Sequence, residues 1–406
     1  MNEIMERAKA LEPRILEDRH NLHAIPELGV YTPQTAAYVS GRLREMGIEP
    51  KPCGIHTQAD REMLRFAGFG DMPESTGVVG LIGQGGPCLL LRADMDALPI
   101  REKSGLPFAP QGEFSHMCGH DAHAAMLLGA AQILKDMEAE LSGTVKLMFQ
   151  PGEELGYGSR TMVEDGLLEH PKVDAAVALH VNSQLEVGRL QYCSGVSSGA
   201  MATFLVSIQG RGGHSSEPQK TIDPLHIATQ LCSALNALVP KEVDPDEFAT
   251  LTVGCLNAGR SSNIIPDTAE LMISFRTLSP EAYDHLMVRI PELVELYVKA
   301  WRGTCRIRSM KTPSTFCDPA FTREVLPFVA EMLGGEPQLT PPSKGAEDFA
   351  HVTRQVPGFY AFLGAGSPEN YPMHNPNMVL DERAFVLGSA VLANCAVEWL
   401  RHHSRG

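Results

Sequence analysis

Apolar positions in the first 45 residues recur at helical spacing, with Ile4, Ala8, Leu11 and Ile15 on one stripe and Ala36, Val39 and Leu43 on another. Helices interrupted by a turn at Pro26 follow from that pattern. Further on the period changes. Residues 77–82 and 88–91 are short apolar runs flanking GQGGP, which predicts a hairpin, whereas 122–134 is helical and 145–149 reads as a strand. Residues 153–166 carry a loop into a helix, and 173–179 is another buried strand. Strands and helices alternating at this length predict an α/β layer architecture, with helices flanking a mixed central sheet.

A second unit begins near residue 187. It predicts strand 201–209, helix 224–239, strands 249–256 and 269–276, helix 280–301 and strand 304–310, the β-α-β-β-α-β order of a ferredoxin-like unit. Because strand 358–363 and helix 384–400 then return to α/β material, the unit reads as an insertion. The expected division is a discontinuous domain of 1–186 and 304–406 around an insert of 187–303.

Candidate polar groups follow strand after strand: Asp94 and Asp96 after LLLR, Glu153 and Glu154 after VKLMFQPG, His180 after DAAVAL, and His374 beyond YAFLGAG. The C-terminal edge of an open α/β sheet is where sites form, and one loop aspartate there would be commonplace, but groups from separate strands are not. The segment SHMCGHDAHAAMLLGAAQIL adds Cys118 and His120, two residues apart just before a helix. Alone, a C-x-H pair is weak, since a lone Cys is usually a small buried hydrophobe. Together with Glu154, His180 and His374 it makes a five-ligand set suited to zinc or manganese and too large for one closed tetrahedral ion, so two ions sharing a ligand fit. Adjacent Glu153 and Glu154 point in different directions, so one can ligate while the other acts on water; the plain alternative is a solvated acidic pair at a helix start.

Composition narrows the classes. With 406 residues, 43% hydrophobic and 20% charged, the chain is globular and large enough for two or three domains. A formal charge of −15 argues against nucleic-acid partners. Nine cysteines without repeated spacing fit reduced thiols and a cytoplasmic location; the N-terminus has no signal-peptide core and no long uncharged apolar run predicts a membrane span.

The segments LLLRADMDALPI, HMCGHDAH, FQPGEE, ALH and YPMHNP resemble the amidohydrolase branch of the aminoacylase and carboxypeptidase superfamily, which includes hippurate hydrolase, indole-acetyl-amino-acid hydrolase and N-acyl-L-amino acid amidohydrolase. The likeness covers nearly the whole chain, extending to LHAIPELG, GRGGHSSEPQKTIDP, SSNIIPDTAELMISFRT and GAEDFA. It implies a catalytic domain with an inserted lid and dimerisation domain, and a homodimer. It further implies two divalent ions bridged by Cys118, with Glu154 and His374 on one, His120 and His180 on the other, and Glu153 as general base. Asp96 is expected to orient the site, and Asp94 stays outside the ligand set because other branches carry His there. His214, Asn263 and Arg276, which alone read as a loop histidine, a turn asparagine and a surface arginine, are by resemblance substrate-binding, with His214 serving a partner's site. Departures at GHSSEP and in the stretch 53–75 bear on substrate preference.

The implied activity is hydrolysis of N-acyl amino acids, with a dipeptide-directed carboxypeptidase or a non-catalytic binding protein of the same fold as alternatives. A metal-free esterase is a rival from another class, since residues 195–199 match G-x-S-x-G; yet the alternating MATFLVSIQ that follows predicts a strand where the nucleophile elbow needs a helix. GQGGP lacks the Lys of a phosphate-binding loop.

Overall fold

The structure is a computed structural model describing residues 3–404. Its largest sheet orders eight strands as Lys51–Pro52, Val78–Gly83, Thr144–Gln150, Cys88–Asp94, Ala175–Glu186, Gly358–Gly366, Leu190–Tyr192 and Gln338–Leu339. The four from Thr144–Gln150 to Gly358–Gly366 run parallel, and both neighbours of that group are antiparallel to it. Parallel strands must be covered on both faces, and the side chains sort accordingly. Leu89, Leu91 and Ala93 join a core with helices Glu12–His23, His120–Asp136, Pro319–Leu333 and Arg383–His403, while Cys88 and Leu90 join the opposite core with Met162, Phe349 and Val352. Each fully buried leucine contributes roughly 1.5–3 kcal/mol, so the register of this strand is strongly fixed.

The expected hairpin of 77–82 with 88–91 does not form. Thr144–Gln150 lies between the two strands, antiparallel to Val78–Gly83 and parallel to Cys88–Asp94. All of its residues are buried, and the central place satisfies backbone groups along both edges where a hairpin would have left an edge exposed. The chain reaches that slot by crossing over through helix His120–Asp136.

A separate antiparallel sheet orders Ala249–Ala258, Thr268–Thr277, Ala200–Gln209 and Thr304–Thr312, with helices Pro224–Glu242 and Pro280–Ala300. Ala202, Phe204, Val206 and Ile208 alternate into one core with Ala269, Leu271, Ile273 and Phe275. Strand pairing draws this unit's edges differently from 187–303. Leu190–Tyr192 belongs to the large sheet, and Thr304–Thr312 pairs with Ala200–Gln209 over its whole length. Nine consecutive paired positions hold that strand in the insert, so the division we propose is 200–312 within 1–199 and 313–406.

Helix Arg383–His403 is long and apolar enough to cross a membrane, but 83% of its apolar window is packed inside the fold as a core helix. Arg19 Nε and His23 Nδ1 converge on Asp121 Oδ2 at 3.0 and 2.7 Å, fastening helix Glu12–His23 to the first turn of helix His120–Asp136. Burial opposes charge on Asp121, but the two cationic partners outweigh it and hold the carboxyl well below its ordinary range.

Candidate metal centre

The parallel strands all end on one edge, and the polar residues gather there. Asp94 closes its strand, Glu153 and Glu154 follow Thr144–Gln150, His180 lies within Ala175–Glu186, and His374 follows Gly358–Gly366. Cys118 and His120 flank Gly119, whose φ of 89° suits a residue without Cβ. A Cβ there would sit 2.4 Å from Val181 Cγ2, so only glycine lets the Cys118 loop lie against the strand that carries His180. His374 also has a positive φ, 66°, and its N–H donates to Met117 O at 2.6 Å, tying the two loops together. A non-glycine residue in that region costs on the order of 1–3 kcal/mol, a strain the structure holds at this edge.

The donors fall into two overlapping groups: Cys118, His120 and His180, and Cys118, Glu154 and His374, each with its ligand atoms within 4.8 Å of one another. Cys118 Sγ is 3.5 Å from His180 Nε2, and His374 Nε2 is 3.4 Å from Glu154 Oε1. Two donors on one tetrahedral ion at ordinary bond lengths sit about 3.3–3.6 Å apart, so both spacings suit shared ligation. Tautomers are fixed from behind. His120 Nδ1 donates to Asp96 O at 2.9 Å and His180 Nδ1 to Val181 O at 2.7 Å, leaving both Nε2 atoms facing the site. His120 Nε2 and Glu154 Oε1 are buried without a hydrogen-bond partner, the condition expected of atoms that ligate.

The electrostatics agree. Burial, with Glu154 nearby, pushes the Cys118 thiol well above its ordinary range, so a thiolate there needs compensating positive charge. Burial and the carboxylates of Glu347, Glu154 and Asp348 push Glu153 well above the usual carboxylate range. Divalent ions would relieve both.

Asp96 accepts the N–H groups of Glu153 and Glu154 on its two carboxylate oxygens, at 3.0 and 3.1 Å. It therefore sets the glutamate loop and, through its carbonyl, the His120 ring. Asp94 is committed elsewhere, to Arg92 Nη1 at 2.9 Å and His123 Nδ1 at 2.5 Å. His123 Nε2 accepts from Val181 N–H at 2.8 Å, so neither ring nitrogen is free to ligate.

Sequence reasoning missed a layer beneath these residues. The buried Arg92 guanidinium binds Asp94, Glu347 at 2.9 Å, Asp348 at 3.3 Å and Gln150 at 2.8 Å, and so neutralises a cluster of carboxylates behind Glu153. The acidic pair in GAEDFA was the available signal for Glu347 and Asp348; an arginine inside an apolar strand was the signal for Arg92.

Arg276 lines the same cavity of about 210 Å³ as Cys118, Glu153, Glu154, His180 and His374, and among the described residues it has no ion-pair partner. His214 and Asn263 are elsewhere: their backbones pair through Gly213–His214 and Ile264–Ile265, both side chains are exposed, and neither lines that cavity. His214 Nδ1 accepts from Ser216 N–H at 3.2 Å, which leaves its Nε2–H as an outward donor. Ser197 of the G-x-S-x-G stretch is buried against Thr315 O and is followed by strand Ala200–Gln209, so the elbow geometry is absent.

The pattern of Peptidase family M20/M25/M40 matches residues 90–398. N-acetyl-L-cysteine deacetylase of Bacillus subtilis (strain 168) is 33% identical over 95% of this chain and 88% of its own length. IAA-amino acid hydrolase ILR1-like 5 of Arabidopsis thaliana is 34% identical over 94% of this chain and 86% of its own. The crystal structure of the YXEP protein of Bacillus subtilis, a dinuclear metal binding peptidase from the M20 family, aligns with a TM-score of 0.72 at 30% identity, covering 97% of this chain and 99% of that one. This chain belongs to Peptidase family M20/M25/M40 and is a metal-dependent, amide-cleaving hydrolase.

Proposed function

We propose that the chain hydrolyses N-acyl amino acids to a carboxylic acid and a free amino acid. In this reading Cys118 would be shared between two ions, with Glu154 and His374 holding one and His120 and His180 the other; zinc or manganese would suit the mixed sulfur, nitrogen and oxygen set. Two divalent ions there would polarise a carbonyl and make water acidic near neutral pH. Glu153 takes the proton from the attacking water and passes it to the departing amine nitrogen. Asp96 keeps its backbone in place.

The observation that carries the substrate class is the unpaired Arg276 in the cavity shared with Glu153 and the metal donors. A guanidinium offers a two-pronged partner for an α-carboxylate, which lysine could not reproduce. Wild-type enzyme should therefore lose at least about tenfold in kcat/KM when the carboxylate of an N-acyl amino acid is capped as a carboxamide, the scale of one charged hydrogen-bonded contact. In Arg276→Ala that discrimination should vanish. Equal turnover of capped and free substrates by wild type would refute carboxylate recognition and leave amide hydrolysis standing.

The inserted unit acts as a lid and dimer surface in the same reading. His214, exposed and with its Nε2–H directed outward, donates to the tetrahedral oxyanion of the partner's site, with Asn263 beside it at the substrate. Mixing His214→Ala chains with Glu153→Gln chains should restore part of the activity. No recovery after demonstrated subunit exchange would place His214 in its own chain's site. All nine cysteines are free, which supports a reducing, cytoplasmic setting.

A further inference from the structure

The cavity that holds the metal donors has a neighbour. A second cavity of about 280 Å³ shares Ser343, Tyr360, Phe362 and Met373 with it and extends to Tyr192, Cys193 and Thr340, without touching Arg276 or the metal donors. Its shared wall is unusual for where it lies in the chain. Strand Gly358–Gly366 is central in the large sheet and buried at every interior position except Phe362. That ring packs against the core around Phe349 and Tyr360 and also lines both cavities, and it stands 5.5 Å from the His180 ring, at the boundary between the two spaces.

Charge separates the two cavities. Among the described residues, no side chain lining the second one is charged at neutral pH; its polar groups are amides and hydroxyls, and burial pushes the Cys193 thiol up, keeping it neutral. The first cavity holds Arg276 and the ionisable metal donors. A substrate with one anionic half and one neutral half would be sorted by this arrangement, because burying a charge away from a partner is costly whereas burying apolar surface is favourable. Size agrees as well: a cavity of roughly 150 Å³ is enough to take a benzene ring.

We infer that the second cavity is the acyl-binding pocket, and that it selects uncharged acyl groups of aromatic size, with Phe362 and Met373 at its mouth and Tyr192, Cys193 and Thr340 at its far end. The inference rests on the reading of Arg276 as carboxylate partner, since that places the acyl half at the opposite side of the scissile amide. Cys193 Sγ donates to Thr340 O at 3.2 Å, so the far end is a fixed wall across which a larger side chain would project.

The test compares N-benzoyl with N-acetyl derivatives of one amino acid, in wild type and in Thr340→Phe and Cys193→Leu, each variant checked for folding by circular dichroism and for metal content. Filling the pocket should lower the benzoyl-to-acetyl ratio of kcat/KM at least about tenfold, the low end of what a size mismatch in an apolar pocket produces. An unchanged ratio in both folded variants overturns the assignment. So does a sensitivity that follows the amino acid instead, for example glycine against leucine derivatives with the acyl group held constant. If wild type cleaves neither acyl series, the amidohydrolase reading fails and takes this one with it; cleavage of both with an unmoved ratio removes the pocket assignment alone.

Discussion

Replacing Glu153 by Gln should leave the fold and the bound ions in place and lower kcat by about 10²-fold or more, the usual scale for removing a group that moves a proton in the transition state. The variant keeps the N–H that donates to Asp96 Oδ1 at 3.0 Å, so the loop that presents Glu154 is undisturbed. It removes the only change that matters here, the ability to accept and return a proton. Glu154→Gln makes the contrasting case. Its Oε1 lies 3.4 Å from His374 Nε2 and has no hydrogen-bond partner, so weakening that donor should cost bound metal first and rate as a consequence. Elemental analysis beside kcat separates the two: equal metal loss in both variants would defeat the division of roles between the adjacent glutamates.

That division depends on the layer behind the glutamates. Glu153, Glu347 and Asp348 place carboxylate oxygens within 4.8 Å of one another, a cluster that would repel itself without a counter-charge. Arg92 supplies the charge and binds Glu347 and Asp348, leaving Glu153 as the member without a guanidinium partner. Glu153 and Glu347 both line the cavity, and of the two Glu153 is the one left free of a guanidinium to exchange a proton.

How much of this could be read from the chain varies with distance in sequence. The candidate donors Glu154, His180 and His374 were legible because they lie at or beyond the ends of apolar runs that read as strands, and parallel strands deliver their ends to one edge. Cys118 and His120 were legible as a pair because Gly119 keeps them close in sequence as in space. The Arg92 cluster was not, because an arginine 255 residues from its glutamate leaves no periodic trace, and a buried charge runs against the strand pattern that predicted its position. The failed hairpin has the same origin. Residues 77–91 carry ordinary hairpin spacing, and only the competing claim of Thr144–Gln150 on both neighbouring edges, a long-range fact, overrides it. The order of elements in the insert matches the expected one, and the bounds we propose lie later at both ends than 187–303, since a boundary between two strands of similar composition is fixed by pairing and leaves little mark on local pattern.

Exhaustive removal of divalent ions should abolish activity, and their return should restore it; Cys118→Ser should prevent full recovery. Cys118 belongs to both donor groups, whereas His180 and His374 each belong to one, so the three variants should differ in a defined way. His180→Ala and His374→Ala should each weaken one ion and retain close to one per chain. Cys118→Ser should weaken both, because a hydroxyl is a harder and far less acidic donor than a thiol and does not supply the bridging negative charge. A loss of at least about tenfold in affinity is expected, since even groups that only support a ligand from behind change affinity by roughly 10–100-fold. Cobalt titration followed by absorption gives a readout independent of turnover. Wild type should show a thiolate-to-cobalt charge-transfer band that is absent from Cys118→Ser and kept in His374→Ala. Two ions bound with unchanged affinity in Cys118→Ser, or full activity in metal-free protein, would overturn the bridging assignment. The buried thiol would then be a packing residue beside His180, and the raised pKa that burial and Glu154 impose on it would keep it protonated.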